Sequence, residues 1–303
     1  MAIDWASIAI LGTAALGFVH ILDSHLISRR MPSLRSYLLP VSIVILVYSL
    51  VAFFLFPLPK DIGTWPLLVA IASGLLRSAA LVILLYILKT EEVSWASPLF
   101  HTYPVFVAIM AVPLLGEVLG YMQWLAIVIV VTGALIISVK RSSGGSTTWL
   151  GKPFLFLTGA SLLMAVADVS SKYALGYVSF WNIYWISSFC MAVIFLLVSL
   201  RPVVLRELSN MTQRGPAMAM IAFNETLAMV GIVLIFRAME TGPVSLVSTI
   251  SSSRPIFVFV LAFIVNRFLP NFILEGKTGR EVLVVRLIAT AMIASGIAII
   301  YLA

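Results

Sequence analysis

Long apolar runs separated by short polar breaks make up most of this 303-residue chain. The runs reach about twenty residues, the length of helix that crosses roughly 30 Å of hydrocarbon. Strands of a membrane barrel would instead alternate apolar and polar residues over segments of about ten. The pattern predicts ten membrane-spanning helices, at approximately 5–28, 38–57, 66–88, 94–115, 121–139, 153–175, 180–200, 216–238, 244–266 and 281–302.

Composition restricts the class of protein further. Charged residues are 10% of the chain and hydrophobic residues 62%, with a mean hydropathy of +1.13. A soluble domain carries roughly a quarter charged residues, so water cannot be the main solvent of this surface. In lipid, helices satisfy their own backbone polar groups. We therefore expect an all-α integral membrane protein, which we assign to a prokaryotic plasma or inner membrane.

The net charge of +7 bears on orientation rather than on nucleic acid binding, because the basic residues lie mostly between apolar runs. Loops after odd-numbered spans hold thirteen basic residues, against about three in the other loops. Cytoplasmic loops carry the excess of Lys and Arg, so this count places both termini outside the cell. No nucleic acid partner is expected, and a homodimer is a further prediction.

The second half of the sequence repeats features of the first at a shift of 151 positions. The matches pair Thr90, Val93, Ser94, Ser97, Pro104, Phe106 and Val107 with Thr241, Val244, Ser245, Ser248, Pro255, Phe257 and Val258. They predict one five-helix repeat at 1–141, a Ser/Gly-containing linker at 142–151 and a second repeat at 152–303. An odd number of spans per repeat gives the halves opposite orientations.

The predicted fourth helix opens on a T-x-x-V-S-x-x-S pattern, contains a proline and ends at Leu114-Leu115-Gly116-Glu117. Together with the two five-helix halves, these features resemble the EamA-type branch of the drug/metabolite transporter superfamily. The resemblance covers nearly the whole chain and implies ten helices in two inverted repeats that carry a small solute. The second half has Asn266-Arg267-Phe268 in place of the Gly-Glu pair. The resemblance also implies termini inside the cell, so both orientations stay open.

Two arginines lie near the midpoints of predicted spans, Arg77 in the third and Arg254 in the ninth. A charge at the bilayer centre costs at least about 2.5–3.5 kcal/mol and persists where it faces a cavity or a partner. One interpretation is that both guanidinium groups face a central cavity and bind a carboxylate, phosphate or sulfate. The other is a structural ion pair with Glu225 or another acid of the bundle.

Further polar residues within the spans are candidates for the same cavity. Those predicted to bind substrate with the arginines are His101, Tyr103, Ser252, Asn182 and Asn224. Those predicted to exchange protons or balance charge are Asp23, Asp168, Glu225 and His20. Small and polar faces also pack helices in lipid, which is the competing interpretation. Lys172, four residues after Asp168, is a candidate for neutralising that acid.

The sequence lacks H-E-x-x-H, G-x-S-x-G and Walker patterns, so no enzyme, cofactor or metal site is predicted. We expect a secondary transporter that moves a small organic metabolite with an anionic group, an amino acid or organic acid, by alternating access. Protons are the candidate coupling ion. Two alternatives stay open: a flippase for a lipid-linked or phosphate-bearing amphiphile, and an intramembrane enzyme that uses His20, Asp23 and Glu225.

Overall fold

The computed structural model describes residues 4–90, 100–138, 152–268 and 280–302, and all secondary structure in these ranges is helical. The all-α class is therefore confirmed over this part of the chain. The helices, numbered in chain order, are α1 (Trp5–His25), α2 (Leu34–Leu55), α3 (Thr64–Thr90), α4 (Tyr103–Leu115), α5 (Tyr121–Ser138), α6 (Lys152–Ala174), α7 (Phe180–Ser199), α8 (Pro202–Ser209), α9 (Arg214–Thr241), α10 (Val244–Ser252), α11 (Arg254–Phe268) and α12 (Arg280–Leu302).

Short polar side chains determine where several of these helices begin. Asp4 caps α1 by accepting a hydrogen bond from the Ser7 amide at 2.8 Å, and this bond contributes to a lowered pKa of the Asp4 carboxyl. At α7, Ser179 and Asn182 form a reciprocal capping box. Gly116 ends α4 with a φ of 68°, a left-handed conformation that glycine adopts without steric cost.

Each predicted span falls on an apolar helix. In the described ranges, seven helical segments are long and apolar enough to cross a membrane. Three shorter apolar helices lie at the predicted fourth, fifth and tenth spans: Tyr103–Leu115, Tyr121–Ile136 and Leu287–Leu302. The number of ten spans therefore stays a prediction. Residues 94–99 of the fourth span lie outside the described residues.

Two local features differ from the prediction. The ninth span is divided into α10 and α11, which meet at Ser253. Pro255 is the second residue of α11, where a missing amide hydrogen costs little, so it begins a helix instead of kinking one. The loop after the seventh span contains α8, a short amphipathic helix that buries Val204 and Leu208, four residues apart.

The two halves of the chain interleave. The main packing pairs are α1 with α9, α2 with α7, α3 with α6, α4 with α10 and α5 with α12. Each pair joins a helix from before the predicted linker to one from after it. Residues 142–151 themselves lie outside the described part, so the linker, the repeat boundaries and the inversion stay predictions.

Small residues allow these helices to approach closely. A Cβ atom at Gly74 of α3 would lie 2.9 Å from the Ser187 Cα of α7, and one at Gly12 of α1 would lie 3.0 Å from the Gly231 carbonyl oxygen of α9. Helix association in lipid depends on such packing, because lipid tails are as apolar as leucine side chains. The glycines thus allow close packing of α1 against α9 and of α3 against α7.

One end of the bundle, here called the basic end, collects exposed arginines from both halves. An apolar cluster that includes Leu26, Phe195, Leu208 and Ile221 brings the surrounding helix ends together. The exposed arginines at this end are Arg29, Arg30, Arg35, Arg201, Arg206 and Arg214.

Glu207 is an acid at the same end. It accepts a hydrogen bond from Ser33 at 2.7 Å and another from Ser36, and these bonds lower its pKa.

We predict from the arginine count that the basic end faces the cytoplasm. Cys190 is the single cysteine of the chain and is buried. In a Cys190→Ala background, a membrane-impermeant maleimide should label Lys60→Cys, at the other end, on intact cells. It should label Arg206→Cys only after permeabilisation. The reverse pattern would reject the charge-based orientation in favour of the one that the sequence resemblance implies.

Candidate functional site

The break between α10 and α11 positions Arg254 inside the bundle. Every residue of α10, from Val244 to Ser252, is buried. Ser252 and Ser253 donate to backbone carbonyls of their own helix, Thr249 O at 2.8 Å and Ile250 O at 2.6 Å. These serine hydroxyls are therefore used locally, and Ser252 does not bond to Arg254. Helix α10 ends at Ser252, and α11 begins two residues later at Arg254-Pro255.

Arg254 makes no hydrogen bond or ion pair with any residue in the described part of the chain, and its Nε atom is buried without a partner. The side chain as a whole is half-buried. The ionisable groups that interact with it electrostatically include Tyr103, Asp23, Arg77 and Asp168. A guanidinium group has five N–H donors, so Arg254 has unused donors in the interior of the bundle.

His20 and His101 lie near this arginine. Both interact electrostatically with Arg254, and His101 also interacts with His20. The Nδ1 atom of His101 is buried and has no hydrogen-bond partner among the described residues. His20 is exposed, although it lies well inside the membrane-crossing segment Trp5–Arg30. Accessible space therefore adjoins His20 at this point, close to Arg254 and His101.

Arg77, in contrast, forms an ion pair with an acid, although its Nε atom has no hydrogen-bond partner among the described residues. Its Nη2 lies 2.8 Å from the Asp168 Oδ1 and 3.4 Å from the Ser171 hydroxyl. Its guanidinium carbon is 5.1 Å from the ring centre of Phe236, a cation–π distance. Ser248 donates to the other oxygen of Asp168 at 2.7 Å. Thus the ion pair, with side chains 12% and 1% exposed, connects α3, α6, α9 and α10.

A second polar group lies between α1, α2 and α9. Asp23 accepts hydrogen bonds from the Tyr37 hydroxyl at 2.5 Å and the Asn224 amide at 2.6 Å. The same Asn224 nitrogen lies 3.4 Å from the Glu225 carboxylate, which is 8% exposed. The carboxylates of Asp23 and Glu225 are therefore neighbours, and no described cationic side chain bonds to either.

The remaining predicted residues have structural surroundings. Tyr103 is buried and donates to the Ser248 carbonyl at a long 3.4 Å. Asn182 lies at the start of α7, where its oxygen accepts from Ser179 and its nitrogen donates to Phe56 O at 2.8 Å. The fold accounts for the hydrogen bonds of Asn182, and the structure does not bring it together with Arg254.

These observations describe a membrane protein in which Arg77 is paired with an acid, whereas Arg254 has no partner among the described residues. The sequence model of the EamA-like transporter family matches residues 4–139 and 151–274. The chain belongs to the EamA-like transporter family. A crystal structure of a protein with 16% sequence identity has the same fold, with a TM-score of 0.71 over 98% of this chain and 95% of that chain. A comparison with curated proteins found no match.

Membership in this family makes the chain a multi-pass membrane transporter of the drug/metabolite type, which confirms the resemblance seen in the sequence. It also supports the prediction that the protein is not an enzyme.

The Gly-Glu pair that ends α4 has a structural role. Glu117 accepts hydrogen bonds from the backbone amides of Val244 and Ser245 at 2.5 and 3.3 Å. It therefore caps the positive N-terminal end of α10, the helix that leads to Arg254.

Lys172 does not neutralise Asp168 in this EamA-like transporter. Its Nζ donates to the backbone carbonyls of Met239 at 2.6 Å and Gly242 at 2.9 Å, at the C-terminal end of α9. Asp168 pairs with Arg77 instead. Sequence spacing could not distinguish the two cations, because the second cation comes from a different helix.

Sequence reasoning also missed two partners, Tyr37 and Phe236. Tyr37 lies near the start of α2, where a tyrosine is typical of the membrane interface. Phe236 is one of many apolar residues in α9. The sequence around each residue does not distinguish it from its neighbours, because its role depends on a contact with a charged side chain of another helix.

We predict that the Arg77–Asp168 pair stabilises the fold. Arg77→Gln leaves Asp168 buried without its cation, so it should lower the free energy of unfolding by about 3–5 kcal/mol. The double variant Arg77→Gln/Asp168→Asn should recover part of that loss, because it removes both charges. Unfolding of the purified protein in detergent, as a double-mutant cycle, measures both effects.

The exposed Arg237–Glu240 pair provides the control. Arg237→Gln should change stability by about 0–1 kcal/mol, because water already solvates that charge. A loss in Arg77→Gln no larger than this would show that the buried pair does not hold the helices together.

Proposed function

We propose that this protein is a secondary transporter that carries a small organic anion through the interior of the bundle by alternating access. The observation that supports the proposal is the unmatched guanidinium group of Arg254. Keeping a charge at bilayer depth without a partner is costly. A carboxylate, phosphate or sulfate that enters the open space would supply the missing hydrogen bonds and the opposite charge.

The comparison with Arg77 supports a specific role for Arg254. Both arginines lie in the same bundle, but Asp168 already matches Arg77. A solute anion at Arg77 would have to displace a carboxylate at 2.8 Å, whereas one at Arg254 displaces no partner from the described residues. We therefore assign the anion to Arg254. Arg77 fixes the helices that surround the site.

The neighbours of Arg254 favour a small polar anion. His101 has a ring nitrogen with an unused hydrogen-bonding position, and His20 faces the same space. Tyr103 donates a long hydrogen bond of 3.4 Å to the Ser248 carbonyl, and its hydroxyl can reorient toward a solute. An amino acid or organic acid has both the carboxylate for the guanidinium group and the further polar groups for these side chains.

The experiment is uptake of radiolabelled amino acids, dicarboxylates, sugars and organic cations into proteoliposomes. Wild-type protein should transport a carboxylate, and Arg254→Gln should lower that uptake by about tenfold or more, the effect of losing one charge-assisted contact. Arg254→Lys should retain an intermediate rate, because it keeps the charge but loses the bidentate geometry.

Arg237→Gln is the matched control, since it removes an exposed arginine of α9 and should leave uptake within about twofold of wild type. Carboxylate uptake in Arg254→Gln equal to that of this control would reject the anion site. Transport restricted to sugars or organic cations would reject the anionic substrate class. Head-group movement of a labelled phospholipid without uptake of any solute would favour the flippase instead.

Asp23 and Glu225 are proposed to couple transport to protons. Like charges on adjacent carboxylates repel, and a bound proton removes the repulsion while Asn224 still donates to the pair. The Tyr37 hydroxyl and the Asn224 amide hold Asp23 in place. Asp23 also interacts electrostatically with Arg254, so its charge can respond to the anion. Asp168 is less suited to this task because it already pairs with Arg77 at 2.8 Å.

The coupling is tested with a pH gradient. Glu225→Gln should abolish the stimulation of uptake by an imposed gradient and keep exchange of labelled for unlabelled solute, because the anion site is intact. The control Glu240→Gln, which loses an acid bonded to exposed Arg237, should retain both. Gradient-driven uptake at the wild-type level in Glu225→Gln would reject the coupling and leave the assignment of Arg254 unaffected.

A further inference from the structure

A pocket of about 500 Å³ lies at the basic end, outside the central site. Its lining residues are His25, Arg29, Arg30, Met211, Thr212 and Gln213. The first three come from the end of α1 and the turn after it, and the others come from the loop between α8 and α9. The pocket is thus formed jointly by segments that are far apart in the sequence.

Local geometry places both arginines at this point. After His25 the helix continues as a π-helical turn, Leu26–Arg30, closed by a bond from the Met31 amide to the Leu26 carbonyl at 2.9 Å. Such wide turns are frequent at functional sites. Arg30 donates from Nη1 to the Gln213 side chain, which connects the two walls. Its other N–H groups make no hydrogen bond to the described residues.

The charge of the pocket is not balanced within the described residues. The lining contains two arginines and no acid. Arg29 makes no side-chain hydrogen bond or ion pair in the described part of the chain. Acids nearby are held elsewhere: Ser33 and Ser36 bond to Glu207, and Tyr37 and Asn224 bond to Asp23. A concave site with unbalanced guanidinium groups attracts an anion from the solution or membrane.

We propose that this basic pocket binds a phosphate group. Arg29 and Arg30 supply forked N–H donors that match phosphate oxygens, and the Thr212 hydroxyl and Gln213 amide supply neutral hydrogen bonds. The phosphate group belongs either to a soluble anion or to the head group of an anionic phospholipid at the membrane surface. The site is independent of Arg254 and of the transported solute proposed above.

The soluble source is tested by thermal unfolding of the detergent-purified protein in inorganic phosphate, against chloride at equal ionic strength. The lipid source is tested by native mass spectrometry after addition of phosphatidylglycerol or phosphatidylcholine. Variants are Arg29→Gln and Arg29→Gln/Arg30→Gln. The matched control is Arg201→Gln/Arg206→Gln, which removes equal charge from exposed positions of the same end that do not line the pocket.

We expect phosphate or phosphatidylglycerol to bind wild type and the control alike, and to bind Arg29→Gln/Arg30→Gln about tenfold or more weakly. Arg29→Gln, which breaks no hydrogen bond of the fold, should show a partial loss and excludes misfolding as the cause. Phosphate binding alone identifies a soluble ligand, and phosphatidylglycerol binding alone identifies a head group.

Absence of both from wild type would overturn the proposal. Equal losses in the pocket variants and the control would also overturn it, since they would show that the arginines act only as a general basic surface that complements the helix end and orients the chain.

Discussion

A charge inside the hydrocarbon layer needs either a fixed partner or access to water, and the two central arginines meet this need differently. Arg77 has Asp168 at 2.8 Å, the ring of Phe236 and the Ser171 hydroxyl around it. Arg254 has none of these contacts in the described part of the chain. The matched pair draws helices together, while the unmatched cation needs the open space that His20 faces. This difference is the basis for assigning structure to one arginine and transport to the other.

The ends of two helices support this arrangement at the side opposite the basic end. Glu117 binds the free amides at the start of α10, and Lys172 binds free carbonyls at the end of α9. Each charged group thereby satisfies backbone groups that a helix end leaves without partners. The Glu117 contact joins segments from before and after the predicted linker, and the Lys172 contact joins α6 to the end of α9. The contacts of Glu117 and Lys172 therefore hold the turn between α9 and α10 in place. They also fix the direction in which α10 runs toward Arg254.

The polar residues of the interior fall into separate groups with different surroundings. Arg77 and Asp168 form a closed ion pair, whereas Asp23 and Glu225 adjoin each other without a bonded cation. The Arg254 region lies within electrostatic reach of both groups. A carrier that exchanges an anion for protons requires such proximity, because binding of one ligand has to alter the affinity for the other. The arrangement thus relates the proposed solute site to the proposed coupling site.

The sequence by itself determined the class of protein, the position of the apolar helices and the placing of Arg77, Arg254, Asp23, Asp168 and Glu225 within those apolar segments. These properties depend on hydropathy and spacing along one chain segment, which are local. Only the tertiary structure decided that Asp168 pairs with Arg77 instead of Lys172, that Asn182 caps a helix, and that Arg254 has no hydrogen-bond or ion-pair partner among the described residues. The physical reason is that a side chain's partner in a helical bundle depends on helix rotation and neighbour choice. The rotation of a helix and the identity of its neighbours both depend on packing contacts between residues that are far apart in the sequence. They therefore cannot be predicted from a short stretch of sequence.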